Sequence, residues 1–128
     1  LVHFELAHPD NRLYVLMGRN TFSAAQNLVT DIDRMTNATL VGEPSGSRPN
    51  HVGEDSQLLL PYSSLGLSVA SRLFQASDPT DDRIWIAPHV VVELSSDDYF
   101  SGRDPVIEAV QDLIRDRSTS RKRKRLDR

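Results

Sequence analysis

The sequence contains no cysteine, only 6% aromatic residues with a single tryptophan, and no apolar run of the length that crosses a membrane, about 20 residues. The first absence excludes a disulfide scaffold, a zinc–thiolate centre and a cysteine nucleophile. No His-x-x-x-His pair or clustered carboxylates stand in for the missing thiolates, so neither metal nor cofactor is expected. An initiator methionine is also lacking, as is a charged segment leading into an apolar one, so no signal peptide is readable and the compartment stays undetermined. Leu1-Val2-His3-Phe4 opens as if the chain were already inside a domain, which makes a fragment of a larger domain the expectation.

A strong charge of either sign is absent only on average. The 128 residues carry 15 Lys+Arg against 18 Asp+Glu, a formal −3. Residues 115–128 hold eight of the basic groups and two of the acids, leaving seven basic and sixteen acidic groups on residues 1–114. An acidic body is therefore expected over 1–116, followed by a disordered basic tail over 117–128 with no apolar face. Arg121-Lys122-Arg123-Lys124-Arg125 has no interleaved aromatics for base stacking, so it reads as a solvated tail, not a specific nucleic-acid site.

What is present alternates strand and helix. Leu13–Met17 is a continuous apolar run ended by Gly18, which predicts a strand buried on both faces. Ala25, Leu28, Val29, Ile32 and Met35 then fall at helical spacing, with Thr21 as the expected N-cap and Asn37 as the end. Ala38–Val41 predicts a second buried strand, and strand–helix–strand favours parallel pairing through a right-handed crossover. Residues 43–56 read as loop, and Gln57–Leu60 with Leu67–Leu73 as a hairpin. Ile84–Ile86 and Val90–Val92 predict short strands. Asp104 caps a last helix with Pro105 at its first position and Val106, Ile107, Val110, Leu113 and Ile114 as its stripe.

Ser23 follows the first strand in the first turn of a helix. Unpaired N–H groups and a favourable dipole there suit a serine nucleophile, and the Ala24 N–H would help hold the oxyanion. The same residues also serve a serine that merely caps a helix, and periodicity does not separate the two.

Tyr14–Met17 followed by Gly18-Arg19-Asn20-Thr21-Phe22-Ser23-Ala24-Ala25-Gln26 resembles the nucleophile segment of the tail-specific (C-terminal processing) serine peptidases and the tricorn core protease, with its Thr-x-Ser-Ala-x-Glu motif. Ala38-Thr39-Leu40-Val41-Gly42-Glu43 is similar to the next strand of that family. Leu58–Ser71, the 78–83 turn and Ala87-Pro88-His89-Val90 resemble its closing strands and corner. The resemblance spans about residues 13–115. It implies an α/β fold with the ClpP/crotonase-like spiral ββα architecture, present as a partial domain, with Ser23 as nucleophile and Ala24 as an oxyanion donor.

Two residues depart from the pattern. Where the Ser-Lys branch has its base, 25 residues after the serine, stands Arg48, whose guanidinium stays protonated. Gln26 replaces the usual glutamate. The resemblance is thus closer to the tricorn-like branch, which implies Asp82, with Asp81 beside it, as the orienting acid and a base upstream of Leu1. His51 is the local alternative base, and Arg48 a candidate for binding a substrate carboxylate.

The expected function is serine-type peptidase action on peptides or protein C-termini, with the upstream part of the same catalytic domain as partner and no turnover by this chain alone. The alternatives are a catalytically inactive peptide-binding or scaffold member and a crotonase-like acyl-CoA enzyme. Paired oxyanion glycines and carboxylates for the last have no clear counterpart here.

Overall fold

A computed structural model describes the backbone of residues 1–126 and the side chains of residues 1–119. The elements, in chain order, are α1 (Val2–Ala7), β1 (Tyr14–Met17), α2 (Ala24–Met35), β2 (Thr39–Gly42), β3 (Asn50–Leu59), β4 (Gly66–Gln75), β5 (Val90–Val91), α3 (Ser96–Ser101) and α4 (Pro105–Leu126). The chain is α/β. β1, β2 and β5 form a sheet in that order, parallel throughout, with Tyr14 opposite Thr39 and Val41 opposite Val90. The parallel β1–α2–β2 unit is as the alternation of patterns predicts.

β2 is central, and Leu40 and Val41 are fully buried. Successive strand residues point to opposite faces. Leu40 joins Met17, Val29, Ile32, Ala38 and Ile86 in the core under α2, whereas Val41 faces the side where α4 packs against β1 and β2. Leu40 is also held through its backbone: its N–H donates to His89 Nδ1 (2.9 Å) and its carbonyl accepts from His89 N–H (2.8 Å). The acceptor role of Nδ1 places the proton of the neutral ring on Nε2.

Several expectations are corrected. β1 is not buried on both faces, because Leu16 is half exposed on the side α4 only partly covers. The buried stripe of α2 is Gln26, Val29, Thr30 and Ile32, while Leu28 and Met35 are exposed. Two polar residues thus occupy the inward face, and Thr30 satisfies its hydroxyl by donating to the Gln26 carbonyl at 2.8 Å. The helix ends at Met35 with Thr36 as its C-cap, one residue before Asn37. Ile84–Ile86 is not a strand: the Ile86 N–H and carbonyl bond to Ser45 rather than to a ladder.

Residues 50–56, read as loop, are the first half of β3, whose register pairs Asn50 with Gln75 and Leu58 with Leu67. Polar residues hid the strand: Asp55, Gln57 and Ser68 bond one another across it, and Arg72 pairs with Glu54 at 2.9 Å. One hairpin face carries Val52, Leu58, Leu67, Val69 and Leu73, all exposed, so no described residue covers it.

Asp104 caps α4 as predicted, its Oδ1 accepting from the N–H groups of Val106 and Ile107. Its stripe is narrower than predicted, with Ile107 and Ile114 exposed. The backbone of α4 is helical through Leu126 where disorder is expected from 117. Arg and Lys are good helix formers, and extending a packed helix costs little per residue. The side chains of the Arg121–Arg125 run lie outside the described residues.

The core makes one prediction for stability. Leu40→Ala is expected to cost about 2–5 kcal/mol, whereas Leu58→Ala on the open hairpin face should change stability by less than about 0.5 kcal/mol. Urea unfolding followed by circular dichroism checks both.

Candidate functional site

The path from β1 to α2 is a tight turn. Thr21 closes it in both directions, its N–H donating to the Gly18 carbonyl (2.7 Å) and its Oγ1 accepting from the Gly18 N–H (3.1 Å). That hydroxyl is therefore spent on the turn and does not cap α2. The N-cap is Ser23, with φ 56° and ψ −126° and no side-chain capping bond. A positive φ is rare for a residue with a Cβ and stores backbone strain. The conformation follows from reversing direction between a strand and a helix within a few residues.

The Ser23 hydroxyl is exposed and makes no hydrogen bond among the described residues. The first intrahelical bond of α2 runs from Asn27 N–H to the Ser23 carbonyl (3.1 Å), so the N–H groups of Ala24, Ala25 and Gln26 precede the ladder. Ser23, Ala24 and Asn27 line a groove of 560 Å³ together with Gly46, Ser47 and His51–Asp55 of β3. His51 stacks on Phe74, ring centroids 5.4 Å apart.

Among the described side chains, two polar atoms are shut from solvent without a partner: His51 Nδ1 and Asn27 Oδ1. Both belong to residues lining this groove. Native structures leave few such atoms.

The structure brings Ser23, Ala24 and His51 together and leaves two other sequence candidates outside. Asp82 is exposed and is not among the groove residues. Its neighbour Asp81 is the engaged carboxylate, accepting from Ser77 Oγ (2.6 Å) and Arg83 (2.8 Å), and Arg83 reaches on to Asp33 of α2 (2.9 Å). Arg83 above all, then Ser77, holds the Asp81 carboxyl below its ordinary value. Arg48 is exposed, has no ion pair among the described residues and is adjacent in sequence to the lining residue Ser47.

The turn residues missed by pattern reading are the ones that hold the site. Gly42 has φ 125°, and a Cβ there would collide with the Met17 carbonyl oxygen. Glu43 then donates its N–H to that carbonyl (3.1 Å), and its carboxylate takes two bonds from Arg19, whose proximity holds the Glu43 carboxyl low. A Cβ on Gly46 would strike the Arg19 carbonyl oxygen, and Gly46 N–H donates to the Thr21 carbonyl at 2.9 Å. Glycines at turns are readable from sequence; which backbone approaches them is not.

Among the described residues no group of three or more His, Asp or Glu side chains is placed to hold a metal ion, and no helix is long and apolar enough to cross a membrane. No protein-family model matches the sequence, and no curated protein matches it at a significant level.

Two outcomes are expected. Ser23→Gly should be more stable than the parent chain by about 1 kcal/mol, since glycine adopts φ 56° freely and no capping bond is lost; equal or lower stability in urea would show an unstrained elbow. Asp81 is depressed in the fold, so its contribution is present above the ordinary Asp value near 3.9 and is lost as pH falls from there. Asp81→Asn is accordingly expected to cost about 1.5–3 kcal/mol at pH 7, with the gap to the parent narrowing below pH 4 in thermal melts.

Proposed function

We propose that this chain carries the nucleophile of a serine-type peptidase that cleaves peptides or protein C-termini through an acyl-enzyme at Ser23, within a ClpP/crotonase-like spiral domain. The observation that carries this reading is the Ser23 elbow: a strained serine with a free hydroxyl, at the N-terminus of α2, opening on a groove that also holds an imidazole. Its Oγ would attack the scissile carbonyl carbon, and the Ala24 N–H would donate to the oxygen as it gains charge. His51 would take the hydroxyl proton and return it to the leaving amine.

β3 supports an extended substrate. Its residues Val52–Asp55 form a groove wall, and in a two-stranded ladder the edge away from β4 is unpaired, so a peptide can add there as a further strand. Arg48, exposed beside Ser47, would meet the carboxylate of a bound C-terminus.

Two observations favour a second reading, a peptide-binding member without catalysis. His51 Nδ1 has no carboxylate to orient it, and Asp82 does not line the groove. An imidazole without its acid is a weak base partner. The chain alone is therefore expected to react once with a reactive probe yet not to turn over peptides.

A fluorophosphonate probe followed by intact-mass spectrometry separates the readings. The parent chain should gain one adduct, Ser23→Ala none, and His51→Ala should react about 100-fold more slowly. Unchanged labelling of His51→Ala would place the base elsewhere. Peptide binding without any adduct would establish the binding-module reading instead.

A further inference from the structure

Gln26 stands three residues after Ser23, on the inward face of α2, and no part of it reaches solvent. Its carboxamide is surrounded by oxygens. With the NH₂ group turned toward them, Nε2 lies 2.9 Å from Ser45 Oγ, 3.1 Å from the Ser47 carbonyl and 3.2 Å from the Thr21 carbonyl. Two N–H bonds are thus shared among three acceptors, two of them backbone carbonyls that can only accept.

Those acceptors belong to the two segments that shape the groove. Thr21 closes the turn that sets Ser23, and residues 45–47 form a strap whose Gly46 and Ser47 line the same groove. Ser45 in turn fastens the strap to the core: its N–H donates to the Ile86 carbonyl (3.0 Å), and its Oγ accepts from Ile86 N–H (2.8 Å) while donating to the Ser47 carbonyl (3.2 Å). With its one proton given to Ser47, the Ser45 hydroxyl has only lone pairs to offer Gln26.

A glutamate here would place an anion, with no hydrogen to give, among three oxygens in a site closed to water. Burial and the surrounding carbonyls would both disfavour its charge. A glutamine at this position is therefore the donor the site requires, not a weakened version of an acid.

We propose that Gln26 is a positioning residue that fixes the 45–47 strap against the Ser23 elbow, so that a peptide lying in the groove between strap and β3 is presented to the nucleophile. The proposal rests on the reading of Ser23 as nucleophile, but its structural half is separately measurable. Hydrogen exchange reads the strap directly, through the Gly46 and Ile86 amides. In Gln26→Met, of similar size but without donors, their protection should fall at least tenfold while the Leu40 amide on β2 keeps its own. In Gln26→Glu protection should be lost at the pH where the carboxyl ionises and regained on acidification, because the protonated carboxyl again has a hydrogen to donate; this variant also covers the case in which the methionine variant does not fold.

Labelling supplies the functional half. A peptidyl fluorophosphonate should react with Gln26→Met at least tenfold more slowly, whereas a small alkyl fluorophosphonate, which needs no wall, should stay within threefold of the parent. Unchanged protection at Gly46 and Ile86, or an equal loss with both probes, overturns the proposal. Absence of labelling in the parent chain overturns the nucleophile reading instead, and the exchange data still decide whether Gln26 holds the strap.

Discussion

The reversal between β1 and α2 constrains everything around it. A strand in a parallel sheet must hand its chain to a helix that lies back across the same sheet, and here only residues 18–23 are available to turn it. The Gly18–Thr21 pair of hydrogen bonds tightens that turn, and the remaining change of direction falls on the backbone of Ser23. Because the strain sits on that residue, its side chain is lifted away from the helix it would otherwise cap. An uncommitted hydroxyl, beside N–H groups that precede the helical ladder, is the consequence.

A strained turn persists only if its surroundings over-determine it. Three contacts do so, two from residues 42–46 and one from α2. Gly42 and Glu43 bring the exit of β2 against Met17, with Arg19 clamped to the Glu43 carboxylate. Gly46 seats the strap directly on the Arg19–Thr21 backbone. Gln26 joins the same strap to Thr21 from below, inside the core. The surface ion pair is the least of these energetically, since Arg19 is largely exposed and water screens it. The buried carboxamide matters more, because leaving its acceptors or its donors unpaired costs the full desolvation of each group.

The part of the groove lined by β3 is built differently. β3 and β4 form a two-stranded ribbon whose pairing is reinforced by exposed polar bonds, and its apolar face is uncovered by any described residue. Isolated hairpins are marginal in water. The site therefore joins a rigid wall, set by the parallel sheet and strap, to a more loosely held one that carries His51. On the proposed reading, that asymmetry would keep the nucleophile fixed while a peptide edge adapts.

The sequence by itself determined the α/β alternation, the parallel β1–α2–β2 unit, the hairpin and the capped start of α4, because each is encoded in local periodicity, a cap or a turn. It also placed Ser23 and Ala24 at the start of a helix. The tertiary structure decided the rest. Whether His51 rather than Asp82 shares the groove with Ser23 depends on the path of 30 intervening residues, which no local pattern encodes. The first half of β3 was invisible because its partners lie some 20 residues away and its stabilising groups are polar. Gln26 is the sharpest case: beside Ser23 in sequence it looked like an acid lost, and only the three oxygens folded around it make it a donor. A hydrogen-bonding role depends on what surrounds the group, and those surroundings come from segments the chain brings together only when it folds.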